Sequence, residues 1–134
     1  MATELRGEEV VHRLAPRPDS LHEARRLARE VAGPHMAQSQ VGNLELAVTE
    51  VVSNAVRHSG ADQEIVLALS PKDDYLCVRV TDGGTGLVPQ PGAMGTESGA
   101  GFGLFLVEQI TRRWGMTREN EQTRVWFEID FEAA

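Results

Sequence analysis

The spacing of apolar residues changes character several times along the chain, and each change marks an element. Leu44, Ala47, Val48, Val51, Val52, Ala55 and Val56 recur at three- and four-residue intervals, which predicts a helix with one buried face. It starts near Ser39 or Gln40, and Gly60 supplies a C-terminal stop. Before it, VVHRL at 10–14 reads as a short strand ended by Pro16 and Pro18, which cannot donate to a ladder. A helix over 20–31 follows, with Asp19 or Ser20 as N-cap and Leu21, Ala24, Leu27, Ala28 and Val31 facing inward. Gly33-Pro34 stops it.

Past Gly60 the period falls to two. Ile65, Leu67 and Leu69 alternate with Val66, Ala68 and Ser70, and Leu76, Val78 and Val80 resume the alternation over 75–81. The polar Lys72-Asp73-Asp74 between them predicts an antiparallel hairpin. A glycine- and proline-bearing stretch over 82–101 has little periodicity, and a loop of that length in a compact domain carries function or disorder. Leu104, Phe105, Val107 and Ile110 mark a third helix over 103–113, ended by Trp114-Gly115. A second hairpin is expected from 116–120 and 124–131 around Glu121-Gln122, with Val125, Phe127, Ile129 and Phe131 on one face. The order β-α-α-β-β-loop-α-β-β predicts an α/β (α+β) two-layer sandwich: three helices on one face of a mixed, mainly antiparallel sheet.

Composition sets bounds on this picture. The 134 residues fit a single domain, 1–134, with a polar and frayed start over 1–7, and suffice for a core without metal or disulfide staples. With 13 basic and 20 acidic residues, the balance argues against a nucleic-acid binder, though not against a nucleotide, which needs only a local positive site. Cys77 is alone in an apolar run, which excludes a disulfide framework and a cysteine zinc site. His12, His22 and His35 lack partners at metal-ligand spacing and are expected at the surface. No run reaches the about 20 apolar residues of a membrane span, and the first residues lack a signal-peptide pattern, so a cytoplasmic protein without membrane contact is expected.

The chemistry lies in three places. Glu50, Asn54 and His58 are four residues apart, with Arg57 three after Asn54, so they stack along a second strip of the long helix. A carboxylate and an amide oxygen one turn apart can position a hydroxyl and a magnesium ion. Asp82 ends a strand and is followed by Gly84 and Gly86: a carboxylate there can accept from an exocyclic amine, beside backbone free to approach a flat ring. Gly99, Gly101 and Gly103 precede the third helix, where free N–H groups make an anion site. A Rossmann fingerprint fits poorly: the glycines come late, after a long loop, and are spaced GxGxG. A Walker A loop fails because no Gly-Lys-Ser/Thr follows. Each motif has a bland counterpart, a solvated helix face or a plain turn. The ordered combination does not.

ExxxNAxxH on a helix, DxGxG after a strand and GxGxGL before a later helix, in that order, resemble the GHKL (Bergerat-fold) ATPase superfamily. The likeness is greatest to its stand-alone anti-sigma factor serine/threonine kinases, and it covers nearly the whole chain. The resemblance implies ATP and Mg²⁺ as cofactors, with Asn54 as the magnesium ligand and Asp82 accepting from the adenine amine. It implies that Gly84 and Gly86 shape the base pocket, that Gly99, Gly101, Gly103 and the Leu104 N–H cradle phosphate, and that 87–98 forms the lid. Glu50 is then the catalytic residue that orients or deprotonates the attacking hydroxyl, Arg57 a phosphate contact, and His58 a packing or capping residue. The implied partners are a sigma factor and its antagonist, together with a homodimer contact. The sequence contains no dimerisation helix with a phospho-accepting histidine and no transducer domain, so activity is expected on a separate protein. The alternative is a non-catalytic ATP-binding interaction module.

Overall fold

The computed structural model describes residues 8–59, 63–83 and 100–132, with backbone only for 100–103. The described elements are β1 (Val10–Leu14), α1 (Ser20–Ala32), a short 3₁₀ turn (Gly33–His35), α2 (Gln38–His58), β2 (Ile65–Pro71), β3 (Tyr75–Asp82), α3 (Ala100–Ile110), β4 (Arg113–Glu119) and β5 (Gln122–Asp130). The strands form one sheet in the order β1-β2-β3-β5-β4. Every described pairing is antiparallel, so the sheet is fully rather than mainly antiparallel.

The core lies between the helices and one sheet face. From α2 it takes Leu44, Ala47, Val48, Val51, Val52 and Ala55; from the sheet, Leu67, Leu69, Leu76, Val78, Val80, Phe127 and Ile129; from α3, Leu104 and Val107. These are the periodic positions of the sequence, buried at helical spacing on one side and at alternate residues on the other. The inner stripe of α1 holds every residue expected there, graded in burial, with Ala32 added. Ala24, Ala28 and Ala32 are fully buried, whereas Leu21, Leu27 and Val31 flank them half-buried. Small residues on the contact line let α1 lie close against α2 and β2, and the larger ones seal its edges. Ser20 starts α1 and donates its hydroxyl to Ala15 O at 2.7 Å, while Asp19 makes no side-chain cap.

The C-terminal third departs from expectation in register. α3 covers Ala100–Ile110, so Gly101 and Gly103 lie inside its first turn rather than before it. β4 begins at Arg113, three residues earlier than expected, and takes in Trp114 and Gly115. Gly115 acts here as a cross-strand neighbour: it pairs with Trp126, and a Cβ on it would stand 2.8 Å from Cζ2 of that indole. The ring needs the space a side chain would fill. The β4–β5 turn falls on Asn120 and Glu121, with φ of 52° and 63°, one residue before the expected Glu121-Gln122. Two successive left-handed residues give the primed turn that matches strand twist, and Asn tolerates that region best.

Of the three histidines expected at the surface, His22 and His35 are exposed and His12 is half-buried. His12 Nε2 lies 2.5 Å from Glu23 Oε2, tying β1 to α1, and His35 stacks at 5.9 Å on Phe131. Among the described residues no helix is long and apolar enough to cross a membrane.

Candidate functional site

The long helix and the sheet meet at a cleft built from three elements. α2 contributes Val51, Asn54, Ala55 and His58; β3 contributes Val80 and Asp82; β5 contributes Thr123 and Val125. Strand register sets its floor. Val80 pairs with Val125 and Asp82 with Thr123, so apolar and polar rungs follow each other toward the strand ends. Helical period sets its wall, because positions 51, 54, 55 and 58 share one face. The free volume is about 10 Å³, room for roughly one water molecule.

Polar groups are unusually well buried here. Asn54 is 3% and Asp82 4% exposed. The Asn54 amide oxygen accepts from Arg57 Nη2, and Arg57 Nη1 donates to Ser53 Oγ at 3.0 Å. The other end of the amide, Nδ2, is buried without a hydrogen-bond partner, and so are His58 Nε2 and Ser59 Oγ. Buried polar atoms are normally paired. Two residues with an unpaired nitrogen, Asn54 and His58, line this cleft together with the buried Asp82.

Of the expected site residues, the structure brings Asn54 and Asp82 to one cleft. Glu50 lies one turn before Asn54 on α2, half-buried, outside the cleft lining and without a hydrogen bond or ion pair among the described residues. Arg57 is exposed and engaged with Asn54 and Ser53. Leu104 is fully buried and is the fifth residue of α3. Gly84, Gly86, Gly99, the stretch 87–98, residues 1–7 and Gly60 lie outside the described residues.

Two cleft residues were not expected. Thr123 reaches the floor through its pairing with Asp82, and only the hairpin register reveals that. His58 carries the helical-spacing signal, four residues after Asn54, at a position where the sequence predicts packing or capping of the helix end. No group of three or more His, Cys, Asp or Glu side chains could hold a metal among the described residues. A cation here would rest on the Asn54 amide oxygen and on oxygens of its ligand, which suits magnesium's preference for few protein ligands.

Comparison with known proteins agrees with this fold. The RsbU and RsbW domains of Rv1364c from Mycobacterium tuberculosis superpose with a TM-score of 0.67 at 17% identity, over 92% of this chain and 32% of that one. This chain thus spans about a third of the length of that protein. The catalytic domain of histidine kinase ThkA superposes with a TM-score of 0.60 at 13% identity, over 92% of this chain and 97% of that domain. At such identities the likeness establishes the fold. No curated protein matches the sequence. The family described as the histidine kinase-like ATPase domain matches residues 14–129, a span that holds both walls of the cleft, and the chain belongs to that family of GHKL-type ATPases.

Proposed function

We propose that the chain binds ATP with magnesium in this cleft and transfers the γ-phosphate to a serine or threonine of an antagonist protein, controlling a sigma factor by binding it. The observation that carries the reading is the pair of buried polar side chains, Asp82 of β3 and Asn54 of α2, that line one cleft with one amide nitrogen unpaired. The RsbW domain in the fold match supports the choice of branch.

In this reading Asp82 accepts from the adenine amine and Asn54 Oδ1 holds magnesium, which supplies charge neutralisation at the phosphates. Arg57 leaves Asn54 Oδ1 and turns its guanidinium to phosphate, since one oxygen cannot serve both cations well. Glu50 takes the proton of the attacking hydroxyl. That oxygen bonds to the γ-phosphorus as the bond from phosphorus to the β–γ bridging oxygen breaks, and ADP leaves. Phosphoryl transfer is mainly positioning and charge stabilisation, so an ordinary carboxylate is sufficient. Binding also requires the cleft to widen, because its free volume is far below that of a purine. Gly84, Gly86, Gly99, Gly101 and Gly103 would shape the base and phosphate ends.

The second reading, a non-catalytic ATP-binding module, is favoured by one observation: Glu50 stands outside the cleft lining, with no hydrogen bond or ion pair among the described residues. Calorimetric titration with ATP, with magnesium and again with chelator, tests the common ground. Saturable binding strengthened by magnesium is expected, and no binding under either condition refutes both readings. Glu50→Ala then separates them. It should bind ATP as tightly as the parent chain yet transfer no phosphate; normal transfer would remove Glu50 from the chemistry.

A further inference from the structure

His58 is the cleft residue that the nucleotide reading leaves without a task. It ends α2 and is half-buried, and its Nε2 is shielded from solvent with no hydrogen-bond partner. It shares the cleft with the Asp82 carboxylate, a polar group of opposite hydrogen-bonding sense. An imidazole N–H is a donor and an ionised carboxylate is acceptor-only. Adenine carries a complementary pair on one edge: the exocyclic amine donates, and the ring nitrogens flanking it, N1 and N7, accept. We propose that His58, in its Nε2–H tautomer, donates to a ring nitrogen adjacent to the amine that Asp82 accepts from, making it a specificity-determining contact to the base.

The inference rests on the nucleotide reading and adds a requirement to it. Asp82 alone would accept from any suitably placed amine. Asp82 with His58 demands an amine beside an unprotonated ring nitrogen, so selectivity arises from two atoms rather than one. Sites that hydrogen-bond their ligand in this way reject analogues lacking the partner atom strongly, because the buried group is then left unpaired. His58 is unpaired in the empty cleft already, so its pairing is gained only on binding.

The test uses the full chain with ADP, 1-deaza-ADP and 7-deaza-ADP, each of which replaces one candidate nitrogen by carbon, titrated by calorimetry. The parent chain should bind one of the two analogues about tenfold more weakly than ADP, the effect of one hydrogen bond. His58→Ala should bind that analogue and ADP equally well. His58→Gln, which keeps an N–H donor at similar reach, should recover part of the discrimination. Equal affinity of the parent chain for all three ligands overturns the contact while leaving the nucleotide site intact, as does discrimination that survives in His58→Ala. Uniform weakening of all three ligands by His58→Ala, with a lowered melting temperature, identifies a structural role and also overturns it. Failure of the parent chain to bind ADP overturns this inference together with the nucleotide reading.

Discussion

Asn54→Leu should make the empty protein more stable and the nucleotide-binding protein useless. Asn54 is 3% exposed and its Nδ2 has no partner, so folding strips water from a polar group and returns nothing. Such an unsatisfied group costs about 1–3 kcal/mol. The compensating bond, from Arg57 to Oδ1, contributes ~1 kcal/mol or less, and an exposed arginine recovers most of that from water when the oxygen is removed. Leucine is near asparagine in shape, and its methyl groups would meet Val51 and Val80 in the cleft lining. The balance is a gain of about 1–2 kcal/mol. With a urea slope of roughly 1–3 kcal/mol/M, the unfolding midpoint should rise by about 0.5–1 M. Excess Mg-ATP should raise the midpoint of the parent chain, by ~2.7 kcal/mol at a hundred times Kd, and leave the variant unmoved. An unchanged or lowered midpoint for the empty variant would refute the claim that the amide is held unsatisfied for a ligand.

Three further substitutions probe separate parts of the argument. Asp82→Asn should lower ATP affinity by about 100-fold or more with far-UV circular dichroism unchanged, because an amide can present a donor to the adenine amine; affinity within threefold of the parent would exclude the contact. Gly115→Val should cost about 1–3 kcal/mol by forcing the Trp126 indole from its place 2.8 Å from the new Cβ, read as a lower melting temperature and altered tryptophan emission. Glu9 accepts from Arg79 and Ser70, which together hold its carboxyl below the usual 4.5. Its stabilisation is therefore complete above 4.5 and lost as pH falls through the lower folded value. Glu9→Gln should flatten the acid limb of stability slightly, since the pair is half-exposed and salt-screened. An identical acid limb would count against the bond.

The elements facing the core were legible because burial imposes a period on the sequence. α2 showed its apolar stripe over four turns, and β2, β3 and β5 showed alternation over seven to nine residues. What failed to show was set by contacts between distant residues. Gly115 looks like a helix stop from its neighbours alone, and its role under Trp126 depends on β4 pairing with β5 in one register. On α1, periodicity gives the direction of the inward face and not how closely its neighbour approaches, which is why alanines lie on the contact line and the larger residues at its edges. Within the site, Asn54 and Asp82 were visible as members of an ordered set, ExxxNAxxH on a helix and DxGxG after a strand, although each alone passes for a solvated helix face or a plain turn. Thr123 was invisible for the opposite reason: a threonine in a strand is ordinary, and only its pairing with Asp82 places it in the cleft.

One geometric consequence joins the functional proposals. His58, Asn54 and Glu50 follow one another at four-residue steps along a single unbroken helix, α2, so their Cα atoms span about 12 Å along its axis. An extended nucleoside triphosphate has a comparable length from base to terminal phosphate. With Asp82 and His58 at the base end, as proposed, Asn54 would stand beside the phosphates and Glu50 beyond them, where an incoming hydroxyl would arrive. The three positions should then act on three parts of the ligand. Alanine at His58 should weaken adenosine, AMP and ATP by the same factor. At Asn54 it should spare adenosine and AMP and weaken Mg-ATP by roughly tenfold or more, the scale of a lost charge-assisted contact. At Glu50 it should leave all three affinities unchanged and act on transfer alone. Titrating the three variants against the three ligands gives a matrix whose expected losses shift stepwise from base to phosphate. If Glu50→Ala weakened adenosine as much as His58→Ala does, the ligand would not lie along the helix in this direction, and the assignment of Glu50 to the reacting end would fall with it.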